Sequence, residues 1–245
     1  MASIPGDATH GHLLGGSVQY AQPRHGFRSG IEPVLLAASV PAKAGDRVLE
    51  GGSGAGAALL CVAARVAGVD GVGVERDAPL TELATQNAAA NNWPTLCFIT
   101  ADVTALPDLG AFDHAIANPP YHAAGGTPSP DAARHGAKHA PDGLLAAWAG
   151  SLARILRPRG SLTCILPAAS LPEALAAFAG AACQPSVMLP LWPRAGEPAK
   201  LLLLRGVKGG RMPFQVLAGL VLHAADGGFT PEAEAILRGG GALPF

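Results

Sequence analysis

Between residues 47 and 117 the chain alternates strand-like apolar runs with helical stretches, and this alternation restricts the fold more than any other feature. The runs at 47–50, 72–75, 97–100 and 115–117 are short, and the segments 55–67 and 80–91 between the first three carry apolar residues at helical spacing. Strands joined through helices pair in parallel and need helices on the faces of the sheet. The second half continues the pattern. A helix fits 143–156, Arg157-Pro158-Arg159-Gly160 breaks it, and a strand fits 161–166. A further helix over 171–182 and strands near 186–191 and 200–205 complete an α/β arrangement. With 245 residues and 49% hydrophobic content, the chain can bury one large core, and its composition requires no second full domain.

Two segments at strand ends carry chemistry. The first is Glu50-Gly51-Gly52-Ser53-Gly54-Ala55-Gly56, where glycines let a backbone approach a ligand closely and the following helix presents free N–H groups. Its spacing, an acidic residue followed by Gly52, Gly54 and Gly56, differs from the Gly-x-Gly-x-x-Gly of nicotinamide-binding turns. Glu75 ends the second strand, where a carboxylate can accept hydrogen bonds from both ribose hydroxyls, and Asp102 ends the third, placed to receive an adenine amine. Glu50 either orients the glycine turn or meets a ligand ammonium group.

The second segment is Asn118-Pro119-Pro120-Tyr121, directly after the fourth run. Proline fixes φ, lacks an N–H and keeps the preceding residue extended, so this loop offers carbonyl acceptors in a fixed arrangement. Such acceptors suit an NH2 group. The nitrogen of an exocyclic amine or amide has its lone pair delocalised and is a poor nucleophile. If the Asn118 side-chain oxygen and the Pro119 carbonyl accept its two N–H bonds, the lone pair is relocalised without a metal or strong base. Tyr121 offers a ring on which a base can stack, and His122 follows it into the same loop.

The order and spacing resemble the class I S-adenosylmethionine-dependent methyltransferase fold, a Rossmann-like, mostly parallel seven-stranded sheet closed by a C-terminal antiparallel hairpin. Residues 185–205 would be that hairpin. In open sheets of this kind the ligand lies beyond the carboxyl ends of the strands, where Glu50, Gly52, Gly54, Gly56, Glu75, Asp102 and Asn118 all fall. Those seven residues are the expected cofactor set, with Asn118, Pro119, Pro120 and Tyr121 as the catalytic set. The segment 22–37, with Gln22-Pro23-Arg24-His25-Gly26-Phe27-Arg28, resembles the region before the first strand of bacterial tRNA(Val) adenine-37 N6-methyltransferases. The likeness continues through 148–160 and 202–209, the latter a late strand followed by Lys208. It implies transfer of a methyl group from S-adenosyl-L-methionine to a flipped adenine of tRNA, with Arg28, Tyr121, His122 and Lys208 toward the substrate. Glu32 stands where that family usually has aspartate, and His139-Ala140 where related sequences often carry His-Glu.

Three other readings share parts of the pattern. A release-factor glutamine N5-methyltransferase uses the same loop on a side-chain amide, but usually has a longer helical domain before the glycine turn. A guanine N2-methyltransferase of ribosomal RNA often ends the loop in phenylalanine. A non-catalytic RNA-binding module would have no need of an intact glycine turn beside an intact Asn118 loop.

Net charge −1 with 14% charged residues makes any RNA contact local. Basic residues gather at Arg24, His25 and Arg28, and again at Arg194, Lys200, Arg205, Lys208 and Arg211, and they can grip phosphates if both groups reach the cleft rim. Cys61, Cys97, Cys164 and Cys183 form no CxxC pair and read as small core hydrophobes of a reduced, cytoplasmic protein. No secretory signal or membrane span is evident. His135 and His139 have a zinc-like spacing, but Gly136 and the surrounding glycine and proline disfavour a helix, and no metal is expected. The expected organisation is a segment 1–40 packing on the catalytic domain, a methyltransferase domain over 41–206, and a helical appendage over 207–245 with helical signals at 214–222 and 231–238.

Overall fold

The computed structural model describes residues 8–25, 28–120 and 143–245. The expected alternation is present. After helix α1 (Glu32–Ala38), strand β3 (Arg47–Gly51) leads into α2 (Ala57–Arg65), β4 (Asp70–Glu75) into α3 (Ala78–Ala90), and β5 (Leu96–Thr100) is followed by β6 (Phe112–Ala117). Helix α4 (Leu144–Arg154), strand β7 (Leu156–Pro167), helix α5 (Leu171–Gly180), and strands β8 (Cys183–Trp192) and β9 (Leu201–Lys208) complete the main sheet.

The sheet runs β5-β4-β3-β6-β7-β9-β8. Neighbours are parallel except at β9, which is antiparallel to both β7 and β8. The reason is the connection: residues 193–200 contain no helix to carry the chain back across the sheet, so β9 must return in the opposite sense. This is the expected Rossmann-like, mostly parallel sheet with its closing antiparallel hairpin.

Helices cover both faces. Leu35 and Leu36 of α1, Leu59 and Leu60 of α2 and Leu83 of α3 build the core on one side. Leu145, Leu152 and Phe178 from α4 and α5 build the other. Fully burying a leucine or phenylalanine side chain is worth about 1.5–3 kcal/mol, so these two layers hold the strand ends in fixed register.

Several segments differ from expectation. The chain before α1 forms an antiparallel hairpin, β1 (Ala8–Leu13) with β2 (Val18–Pro23), within the segment expected only to pack on the catalytic domain. Residues 157–160 continue β7 instead of interrupting it, accommodated by Arg159 at φ 69 and a register shift opposite Phe112 and His114. Segment 214–222 is not helical: β10 (Gln215–Val216) and β11 (Leu220–Val221) both pair in parallel with the outer side of β8. Gly219 explains this, because it holds φ 89 and a Cβ there would meet Trp192 Nε1 at 2.4 Å. Helix α6 (Pro231–Leu237) forms where expected, with the Thr230 hydroxyl accepting from Ala233 N–H as its cap. Cys97 is exposed, unlike the other three cysteines, because it occupies an outward position on edge strand β5.

Candidate active site

Pairing of Gly51 with Ala117 on one side and Val74 on the other, and of Glu75 with Thr100, aligns the carboxyl ends of β3, β4, β5 and β6. The glycine turn and the Asn118 loop therefore leave adjacent strands at the same level. Gly52, Gly54 and Gly56 have φ of 69, 53 and 87, a region in which a Cβ is strained. Space separates their roles. A Cβ on Gly52 would lie 2.7 Å from the Trp148 ring and one on Gly56 2.8 Å from Phe98, whereas nothing lies within 4 Å of one on Gly54. Gly52 and Gly56 are thus required by packing, and Gly54 faces open space.

Hydrogen bonds fix the turn. Gly52 and Ser53 N–H groups donate to the Val74 carbonyl at 2.8 and 3.1 Å. The Gly54 N–H donates to Glu75 Oε2 at 3.0 Å, and the Asp77 N–H to Glu75 Oε1 at 3.0 Å. A carboxylate has about four acceptor positions, so each Glu75 oxygen retains capacity for a ligand hydroxyl. Asp102 Oδ1 accepts from both the N–H and the hydroxyl of Thr104 at 2.7 Å. These bonds hold its exposed carboxyl below the usual range, so it is ionised near neutrality. An open glycine cradle flanked by two oriented acceptors fits a nucleoside with ribose hydroxyls and an exocyclic amine. The Ser53 hydroxyl is buried without a partner among the described residues.

Glu50 is 4% exposed, and its Oε2 accepts the Leu59 N–H at 3.1 Å. Burial pushes its carboxyl up to about 8, with the Leu59 N–H opposing and the nearby Glu75 adding to the rise. Below its ordinary value of 4.5 the group is protonated in folded and unfolded chains alike, and from there to about 8 only the unfolded chain ionises. Stability of the ligand-free protein therefore falls as pH rises through this window. Denaturation midpoints measured from about pH 4.5 to 8 are expected to decline more steeply in the unsubstituted protein than in Glu50→Gln; equal slopes would mean that Glu50 ionises in place.

Asn118 is half-buried, Pro119 buried and Pro120 exposed. Tyr121 and His122 lie outside the described residues, as do His135 and His139. Arg28 is exposed, in the segment joining β2 to α1. Lys208 does not join the site. It lies at the amino edge of the sheet, where its Nζ donates to the Arg154 and Leu156 carbonyls and closes the end of α4. Arg211 follows it at that edge. Arg205 is 9% exposed, donates to Thr163 Oγ1, the Ser39 carbonyl and the Phe245 carbonyl, and packs over the Phe245 ring. Of the second basic group, Arg194 and Lys200 alone are exposed at the carboxyl edge, because antiparallel β9 carries the others away from it.

One supporting residue was not anticipated. Asn87 on α3 is 3% exposed; its Oδ1 accepts the Ala21 N–H at 2.9 Å, and its Nδ2 donates to the Ala21 carbonyl at 2.8 Å and the Ala55 carbonyl at 3.0 Å. It joins the N-terminal hairpin to the glycine turn. An amide on the helix face that also carries Leu83 and Ala84 was the available signal.

The methyltransferase small domain profile matches residues 32–152. A tRNA1(Val) (adenine(37)-N6)-methyltransferase of Aeromonas hydrophila is 31% identical over 217 residues, covering 84% of this chain and 87% of that protein. One of Dickeya chrysanthemi is 28% identical over 228 residues, 89% of each. The chain belongs to this methyltransferase family. A solved structure described as a predicted O-methyltransferase from Agrobacterium tumefaciens superposes with a TM-score of 0.71 at 26% identity, over 86% of this chain and 98% of that one. The methyltransferase described here is S-adenosyl-L-methionine-dependent. Among its described residues no group of three or more His, Cys, Asp or Glu could hold a metal ion, and no helix is long and apolar enough to cross a membrane.

Proposed function

We propose that this methyltransferase modifies N6 of an adenine in tRNA, working in the cytoplasm, with residues 41–206 as the catalytic unit. The observation that carries the reading is the Gly51–Ala117 pairing, which sets the glycine turn and the Asn118 loop side by side at one sheet edge. The names of the relatives supply the nucleobase.

S-adenosyl-L-methionine supplies a methyl group made electrophilic by its sulfonium. Glu75 accepts the ribose hydroxyls and Asp102 the adenine amine, while Gly54 leaves room for the ligand beside the turn. Glu50, buried beneath, holds the first turn of α2 through Leu59. On the acceptor side, Asn118 Oδ1 and the Pro119 carbonyl each take one N–H of the target amine. Two fixed acceptors pull that nitrogen toward tetrahedral geometry and turn its lone pair out of the ring's π system. Proline at 119 and 120 keeps both oxygens in place before substrate arrives, and positioning of this kind is worth up to roughly 7–11 kcal/mol. Tyr121 stacks on the base, with His122 beside it and Arg28 toward the phosphates.

Glu75→Ala removes the ribose acceptor and the Gly54 restraint together. Its dissociation constant for S-adenosyl-L-methionine, measured by calorimetry, is expected to rise at least about tenfold, as loss of hydrogen bonds to a charged group implies; an unchanged value removes Glu75 from the ribose site. The substrate is tested by incubating the enzyme and labelled S-adenosyl-L-methionine with unmodified tRNA or a peptide release factor, followed by nucleoside analysis. Label in N6-methyladenosine supports the proposal. Label confined to the protein would replace it with the glutamine reading.

A further inference from the structure

The structure carries a shallow, largely apolar trough of about 600 Å³ lined by Trp192, Ala195, Gly196, Glu197, Pro198 and Val221. It is formed by the end of β8, the 193–200 connection and β11, none of which the proposed methyl-transfer site uses. Pairings of Leu191 with Leu201, Leu201 with Pro167 and Cys164 with Ala117 put this connection at the same carboxyl edge as Asn118. They also place Trp192 above the level of Asn118, because β7 and β8 extend beyond the end of β6. The trough is thus part of a raised rim. Three strand steps of about 4.8 Å and three residues of about 3.3 Å along the strands put it roughly 17 Å from Asn118.

We propose that this trough receives an unpaired nucleobase of the RNA substrate, a few nucleotides from the methylated adenine, stacked on Trp192. The inference rests on the RNA reading above. Charge and shape choose this occupant. Arg194 and Lys200, both exposed, bracket the connection that lines the trough, and the trough's single lining carboxylate, Glu197, faces Arg194 Nη1 at 3.5 Å, so the connection carries net positive charge suited to phosphates. Trp192 Nε1 donates to the Ala218 carbonyl at 3.1 Å, which fixes the indole in its plane. A preset aromatic face with basic neighbours is how unpaired bases are held without sequence readout. The separation from Asn118 suits a second contact on a strand whose target base has been turned out of its stack.

The test begins with methylation of unmodified tRNA by the unsubstituted enzyme. Trp192→Ala is expected to raise KM for tRNA by about 5- to 150-fold, the range for loss of one base–aromatic stack, while kcat and the dissociation constant for S-adenosyl-L-methionine stay within twofold. Trp192→Phe should recover most of the loss. Ala195→Glu, an exposed position that leaves Trp192 in place, should also raise KM and covers the case in which Trp192→Ala does not fold. In tRNAs made abasic at single positions around the target, one position should reproduce the defect and add nothing to it in Trp192→Ala. KM within twofold of normal in Ala195→Glu, and in Trp192→Ala where that variant folds, with no abasic position coupled to Trp192→Ala, overturns the proposal. If the unsubstituted enzyme methylates no RNA, the substrate reading has failed instead. Fluorescence quenching by single-stranded oligonucleotides then decides the trough alone: quenching abolished in Trp192→Phe supports it, and quenching that persists overturns it.

Discussion

Asn118→Ala is expected to lower kcat by about a hundred- to a thousandfold, the range seen when one preorganised hydrogen-bonding group is taken from an active site. Affinity for S-adenosyl-L-methionine should change only a few fold, because the glycine turn, Glu75 and Asp102 are held by bonds that do not involve Asn118. Stability should also change little, since Asn118 follows β6 outside regular structure and is half-buried. Asn118→Asp keeps an acceptor oxygen at the same place and should recover part of the activity. Single-turnover kinetics with saturating cofactor separates these quantities, and a normal rate in Asn118→Ala would remove the amide from the chemistry.

Asn87→Ala should produce the largest loss of stability among substitutions near the site. It leaves the Ala21 N–H, the Ala21 carbonyl and the Ala55 carbonyl without their partner in a buried location. An unsatisfied buried polar group costs about 1–3 kcal/mol, and the three together come to at least about 3 kcal/mol. In a chain of this length that is a fall in Tm of about 6–12 °C. Because Ala55 lies inside the glycine turn, cofactor affinity should weaken along with stability. A Tm within about 2 °C of the unsubstituted protein would show that water replaces the amide without cost.

The features legible in the sequence were those whose cause is local. Strand runs, helices and the three turn glycines each follow from the conformational preferences of a few neighbouring residues, and the strand-end carboxylates Glu75 and Asp102 follow from the alternation. Contacts that depend on register between distant segments were not legible. Lys208 and Arg205 look like two more surface cations of a basic stretch, yet β9 runs backwards in the sheet and alternates its faces, which sends one to the amino edge and the other into the interior. The apolar run at 214–222 has helical character, but the open side of β8 offered backbone hydrogen bonds, and Gly219 permits an approach that a side chain would block. Asn87 stood out locally as an amide among apolar residues; its partners, 66 and 32 positions earlier, could not be read from that.

The Arg205 guanidinium bears on how the chain is assembled during synthesis. Domains begin to organise as they emerge, N-terminal portions first. Burial lowers the affinity of Arg205 for its proton to about 10, and its hydrogen bonds reach back to Ser39 and forward to Phe245. Leu243 and Gly240 are stitched in the same way to Ala38 and Arg65. A nascent chain that has laid β9 into the sheet therefore lacks the Phe245 carbonyl and ring that cover this guanidinium until the forty residues after it have been translated. β9 is thus completed by residues that arrive after it, as the open side of β8 is by β10 and β11.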